Sequence, residues 1–195
     1  MTDRIFLAAK EYLSDFQLKL PRTAPKPSKA SIKWRPPLGK LYKTNYDRAM
    51  FSELGEAGIR VVVQDAKGEV IATLAEKITY LGLVVMLEAL VARRAVKFIV
   101  ELGISLSEFE GDSEVVCKAL RTADWGHPAI GQIIKDTLSI VGSLRTFSFS
   151  YTRRQGNCVA HALAKRAIVS FLLLVWMEYV PFDIEQIVIL DSATT

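Results

Sequence analysis

Three acidic residues stand at positions that could place carboxylates together. Asp47 ends a segment of alternating polarity, Glu88 lies within a long apolar helix pattern, and Asp112 follows Gly111 just before a second helix pattern. Carboxylate oxygens are the ligands that magnesium prefers, and a chain without clusters of cysteine and histidine gives little reason to expect zinc. If the fold brings the three acids to one point, they predict a site for Mg²⁺, or for Mn²⁺ in its place.

Glu88 is the most informative of the three, because it lies on the wrong face of its helix. With about 100° of rotation per residue, the polar residues of segment 83–102 form one stripe, and Glu88 lies almost opposite it among apolar neighbours. An ionised carboxylate on a buried face is costly unless something compensates its charge. We therefore expect a basic partner or a metal ion there, or a helix end that is wetter than the pattern indicates.

The two aspartates are ordinary when each is taken alone. Asp47 fits a turn position, and Asp112 fits a helix N-cap, where its side chain would accept a backbone N–H. Only their combination with Glu88 favours a metal site, because acids at the ends of neighbouring strands can meet an acid on the buried face of the covering helix.

The elements that must position these acids follow from periodicity and turn residues. Alternation predicts strands and the 3.6-residue period predicts helices, and Gly103 ends the first long helix. The order of the elements indicates an α/β fold, with a mixed sheet and helices packed on it. The predicted strands are 41–49, 58–64, 69–75, 108–111 and 144–151, and the predicted helices are 83–102, 113–121, 128–141 and 157–170.

The chain divides by composition into four segments. Residues 1–20 predict a short amphipathic helix, and residues 21–39 predict an extended linker, since five prolines and six basic residues fall between positions 21 and 40. We assign residues 40–171 to the folded domain and residues 172–195 to a C-terminal extension.

Composition narrows the class of protein. Half of the 195 residues are hydrophobic and the net charge is +4, which permits binding to a polyanion without requiring it. Cys117 and Cys158 stand far apart in sequence and form no C-x-x-C pair, so neither a disulfide framework nor a zinc site is indicated. The N-terminus does not resemble a secretory signal, and the apolar run 171–177 is far short of the about 20 residues of a membrane span. We expect a soluble monomer in the nucleus or cytoplasm, without a membrane partner.

Three segments carry a resemblance to a known family. VVVQDAKGEVIATLAEKITYLGLVVMLEAL, FEGDSEVVCKAL and YTRRQGNCVAHALAKRA are similar to the ribonuclease H-type domain of plant retroelement-derived, reverse-transcriptase-like proteins, over residues 34–191. The resemblance implies a ribonuclease H-like fold with five strands, three antiparallel and two parallel. It also implies four catalytic positions, which are Asp47 in NYDRAM, Glu88 in LEAL, Asp112 in EGDS and His161 in NCVAHALA.

The activity implied by this resemblance is magnesium-dependent hydrolysis of the RNA strand of RNA–DNA hybrids, with two metal ions held by Asp47, Glu88 and Asp112. The partner would be the hybrid or another nucleic acid, recognised through its shape and the 2′-hydroxyl. For the basic residues a solvated surface position is the alternative. The expected nucleic-acid contacts are Asn45, Arg48, Ser113, Arg153, Arg154 and Asn157.

Four positions depart from the family pattern. Arg48 replaces the glycine that usually follows the first aspartate, and its guanidinium would either block a metal ion or substitute for its charge. His161 stands where bacterial and animal relatives have an aspartate, although histidine is common there in the plant members that this chain resembles. Arg60 stands where glycine is usual, and Glu108 where the strand is apolar. These changes leave a second hypothesis open, a catalytically impaired domain that binds nucleic acid. A nucleotide-binding βαβ enzyme is disfavoured, because no glycine-rich phosphate loop follows any predicted strand.

Overall fold

The computed structural model describes residues 36–37, 39–80, 82–153 and 173–178. The chain divides into two units, Met1–Ser31 and Ile32–Thr195, and every described residue lies in the second. The predicted helices at 1–20 and 157–170, and most of the predicted linker, lie outside the described residues.

One mixed sheet organises the domain, and its strand order is β5-β4-β1-β2-β3-β6. Strands β1, β2, β3 and β6 pair antiparallel in that order, whereas β4 pairs parallel with β1 and β5 pairs parallel with β4. The α/β fold class is therefore confirmed. The strands are β1 Tyr42–Phe51, β2 Glu56–Gln64, β3 Val70–Thr79, β4 Leu106–Gly111, β5 Thr146–Tyr151 and β6 Leu173–Met177, with a one-turn 3-10 helix at Ser52–Leu54.

The sheet has one strand more than the five that were predicted. Strand β6 falls within residues 172–195, and its exposed and half-buried positions alternate along LLVWM. All five of these residues are apolar, so the polarity alternation that identifies a half-buried strand in a sequence is missing here.

Three helices lie in the described part of the chain: α1 Val84–Glu101, α2 Glu114–Thr122 and α3 Gly131–Val141. Helix α1 ends as predicted, since Gly103 has φ +70° and Ile104 donates back to the carbonyl of Ile99. Helix α3 begins three residues later than predicted, because the amides of Ile130 and Gly131 both donate to the carbonyl of His127 in a turn. None of the helices in this part of the chain is long and apolar enough to cross a membrane.

The two faces of the sheet differ in chemistry. The main core lies on the face that α1 covers, which we call the helix-side face, and there Tyr46, Val61 and Phe109 pack with the buried residues of the helices. Since successive side chains of a strand point to opposite faces, Lys43, Asn45 and Asp47 of β1 belong to the opposite face, which we call the second face. All three are buried, so the second face carries polar groups out of contact with bulk water.

Candidate active site at the end of β1 and β4

The end of the parallel pair β1 and β4 positions the two aspartates. Asn45 pairs with Glu110 in this ladder, and Asp47 and Asp112 each lie two residues further along their own strand direction. Asp47 is 1% exposed within β1, whereas Asp112 is half-buried just after β4. Ser113, not Asp112, is the N-cap residue of α2, so the simple capping role considered for Asp112 does not apply.

Glu88 approaches the same end from the covering helix. It lies in the second turn of α1, which packs against β1, and it is 8% exposed. The pKa of Glu88 is raised from its usual 4.5 to about 7, chiefly by burial; Arg48 opposes this rise, whereas the negative charges of Asp112 and Asp47 add to it. The three acids are therefore close enough for their charges to interact at Glu88.

Arg48 is the basic partner that the position of Glu88 required. Its Nε lies 2.5 Å from Oε1 of Glu88, and its backbone amide donates to Oδ1 of Asp47 at 2.7 Å. One residue thus contacts two of the three acids. Of the alternatives that the sequence left open for Glu88, the structure contains the basic partner.

Whether Asp47, Glu88 and Asp112 can hold a pair of metal ions depends on the contacts that Arg48 makes with them. The oxygen ligands suit magnesium chemically, but among the described residues no group of three or more histidine, cysteine, aspartate or glutamate side chains converges closely enough to hold a metal ion. The guanidinium of Arg48 also lies on Oε1 of Glu88, one of the two carboxylate oxygens that could bind a metal. As placed, these residues do not fit a metal pair, and metal ligation by Asp47, Glu88 and Asp112 stays a prediction.

Tyr46 and Gly111 lie directly before the two aspartates in the chain, and sequence reasoning did not identify either of them as part of the site. The buried hydroxyl of Tyr46 lies 3.6 Å from the sulfur of Cys117, whose thiol donates to the carbonyl of Ser150 at 3.2 Å. Burial raises the pKa values of both Tyr46 and Cys117 above their usual range, so both stay protonated at neutral pH. The thiol is thus a packing and hydrogen-bonding group within α2.

The expected nucleic-acid contacts are spread over different environments. Asn45 is buried, and its side-chain amide donates to Glu110 at 2.9 Å, so it points into the second face. Ser113 is half-buried at the start of α2, and Arg153 is exposed just after β5. His161, Arg154 and Asn157 lie outside the described residues. A role in binding stays a prediction for each of these.

Buried charges on the second face were not foreseen. Nζ of Lys43 lies 3.1 Å from Oε2 of Glu110, and Arg60, 2% exposed, lies directly opposite Asp47 in the β1–β2 ladder. The available signal was strand alternation combined with the pairing register, and the sequence alone does not fix that register. Glu108 is half-buried and accepts a hydrogen bond from Ser150 at 3.4 Å, so this departure is accommodated at the β4–β5 pair.

Comparison with solved structures identifies the fold. Ribonuclease H1 from Halobacterium salinarum NRC-1 is 23% identical, with a TM-score of 0.59 over 65% of this chain and 96% of its own. The N-terminal ribonuclease H domain of a Mycobacterium tuberculosis protein is 20% identical, with a TM-score of 0.58 over 67% of this chain and 94% of its own. LC11-RNase H1, from compost and in complex with an RNA/DNA hybrid, is 22% identical, with a TM-score of 0.57 over 65% of this chain and 96% of its own.

Comparison at the level of sequence identifies the family. No curated protein is significantly similar to the chain. The family described as reverse transcriptase-like matches residues 45–167, which is more than half of the chain and includes Asp47, Glu88 and Asp112. The chain therefore belongs to the reverse transcriptase-like family and has a ribonuclease H-like fold.

Proposed function

We propose that this domain is a ribonuclease that hydrolyses the RNA strand of RNA–DNA hybrids, with Asp47, Glu88 and Asp112 as its catalytic carboxylates. The observation that carries the proposal is that acids from three separate elements lie near enough for the charges of Asp112 and Asp47 to raise the pKa of the buried Glu88. Membership of the reverse transcriptase-like family supports it. So does the likeness to LC11-RNase H1, a structure solved with an RNA/DNA hybrid.

The proposal includes Mg²⁺, or Mn²⁺ in its place, as the cofactor of a two-metal hydrolysis. The side chains as placed do not accommodate it, because Arg48 lies on Glu88. Without a metal, the fold places Asp47, Glu88 and Asp112 near one another and buries Glu88 away from water. His161 belongs to the proposal as a group that orients or transfers protons for water, and a plant retroelement origin and a monomeric state belong to it as well.

A second candidate function is favoured by the Arg48–Glu88 ion pair. If the guanidinium stays on Glu88, the domain would bind hybrid or another nucleic acid without cutting it. Such binding would be salt-sensitive, because each phosphate contact made by lysine or arginine releases a counterion.

One experiment separates the two functions. A hybrid with a labelled RNA strand is incubated in Mg²⁺ with wild type, with Asp112→Asn, and with the control Asp136→Asn, an exposed acid of α3 that pairs with Arg93 at 3.5 Å. Cleavage by wild type and the control, but not by Asp112→Asn, would support the ribonuclease. Salt-sensitive retention of the hybrid without cleavage would support the binding module, and the absence of both would contradict both.

A further inference from the structure

We propose that Arg48 is a built-in counter-ion that takes the place of a metal's charge at Glu88, so that the guanidinium and a divalent ion compete for one carboxylate. The contact is short, with Nε of Arg48 2.5 Å from Oε1 of Glu88. Both side chains are largely removed from water, at 16% and 10% exposure. This inference rests on the proposed function, in that it takes Glu88 as a group which a divalent ion would need.

The strand register explains how an arginine reaches this position. Arg48 lies opposite Ile59 in the β1–β2 ladder, and Ile59 belongs to the core on the helix-side face. Since alternate residues share a face, the side chain of Arg48 leaves β1 on the side where α1 carries Glu88. Asp47, one residue earlier, lies opposite Arg60 on the second face. The guanidinium therefore contacts Glu88 on the helix-side face of the sheet.

Arg48 contacts two of the acids through two different groups. Its guanidinium contacts Glu88, and its amide donates to Asp47 at 2.7 Å. In a largely buried setting, a unit positive charge at contact distance strongly opposes a second cation nearby, because the solvent screens their repulsion poorly. A divalent ion must displace the guanidinium from Glu88 or bind without that oxygen. Wild type should therefore bind divalent ions weakly.

The chain offers a matched control for this ion pair. Arg94, on α1, places its Nε 2.6 Å from Oε2 of Glu76, and its side chain is also 16% exposed. The pair has the same chemistry and nearly the same N–O distance, and Arg94 also contacts Oε2 of Glu101 at 3.1 Å, but none of the proposed catalytic acids takes part. Any general effect of removing a half-buried arginine should appear at Arg94 as well as at Arg48.

The test is Mn²⁺ binding to the full chain, measured by calorimetric titration. Arg48→Ala should bind Mn²⁺ at least about tenfold more tightly than wild type, because the competing charge is gone. Arg94→Ala should match wild type. Adding Asp112→Asn to Arg48→Ala should reverse most of the gain, which assigns the bound ion to the three acids. Equal dissociation constants for wild type and Arg48→Ala would overturn the inference.

A second variant covers the case in which Arg48→Ala does not fold. Arg48→Gln keeps most of the side-chain volume without the charge, and added Mn²⁺ should raise its Tm by more than it raises that of wild type. An equal rise in both would overturn the inference.

Hybrid cleavage is measured in parallel, so that failure of this inference can be distinguished from failure of the proposed function. If the Arg48 variants bind Mn²⁺ more tightly but no protein cleaves the hybrid, the counter-ion inference is supported and the ribonuclease is contradicted. If wild type cleaves the hybrid but the Arg48 variants have the Mn²⁺ affinity of wild type, the ribonuclease is supported and the counter-ion inference is overturned.

Discussion

The ring of Tyr46 packs so closely on the backbone of Gly111 that a β carbon at position 111 would overlap the ring. Tyr46 directly precedes Asp47 and Gly111 directly precedes Asp112, so this contact joins β1 and β4 directly before the two aspartates. Glycine is required at position 111 by the close approach of a side chain. The same contact packs β1 against β4 directly before the two acids.

Substitution of Gly111 by alanine should therefore be destabilising. The added methyl group must push the ring or β4 aside, and overpacking of this kind lowers the free energy of unfolding by about 1–3 kcal/mol. Urea denaturation measures the change. The control is Gly142→Ala at the end of α3, where φ is −60° and the nearest atoms to an added β carbon are carbonyl oxygens at 3.4 Å. That variant should change stability by no more than about 1 kcal/mol, and equal effects at both positions would refute the packing argument.

Stability should depend on pH through Glu88. Its pKa is raised by burial from 4.5 to about 7, so the folded state binds more protons than the unfolded state between these values. The stability that Glu88 contributes is full below pH 4.5, declines as pH rises, and is lost above about pH 7, a total of about 3 kcal/mol. Urea titrations of wild type and Glu88→Gln from pH 4 to about 8 test this. As pH rises, the free energy of unfolding of wild type should fall relative to that of Glu88→Gln. A difference between the two that does not change with pH would contradict the raised pKa.

The position of Glu88 was predictable, but its partner was not. Helical periodicity alone placed this acid on the buried face of segment 83–102, where α1 now carries it. Its contact with Arg48 joins residues 40 positions apart in the chain. That contact depends on which face of β1 the arginine takes, and pairing register settles this only in the folded sheet.

The second face shows a related limit of sequence reasoning. Lys43 and Asn45 alternate with core residues in a pattern that also fits a solvent-facing strand, yet both are buried. Local alternation distinguishes the two faces of a strand, but it does not say whether polar residues on the outer face will be covered by other parts of the chain. The charge pair Lys43–Glu110 could thus be assigned only from the structure.

Removing Lys43 should cost far more than removing a more exposed lysine from the same sheet. Lys43→Met removes the positive partner of Glu110, whose side chain is 13% exposed and also accepts a hydrogen bond from Asn45, and breaking such a largely buried pair costs about 3–5 kcal/mol. Lys77→Met is the matched control, because its Nζ lies 2.9 Å from Oε1 of Glu56 with side chains 25% and 27% exposed. That pair should contribute about 1 kcal/mol or less. If both variants lose a similar amount of unfolding free energy in urea denaturation, burial does not set the strength of the Lys43–Glu110 ion pair.

The hydroxyl pair between β1 and β4 gives a final prediction. Oγ1 of Thr44 lies 2.7 Å from Oγ of Ser107, both residues are buried, and the pair joins the two strands that carry the aspartates. Thr44→Val should lower the free energy of unfolding by about 1–3 kcal/mol, since it leaves the Ser107 hydroxyl with one weaker bond to the carbonyl of Tyr42.

Thr73→Val is the control for the same change in shape. Thr73 is equally buried in β3, but within the described residues its hydroxyl has no hydrogen-bond partner, so replacing it with a methyl group should be neutral or stabilising. Urea denaturation of both variants and of Ser107→Ala, with the Thr44→Val/Ser107→Ala double variant, gives the coupling energy between the two hydroxyls. A coupling energy near zero would mean that this hydrogen bond adds nothing to the β1–β4 pairing, which would then depend on the backbone ladder and the Tyr46–Gly111 contact.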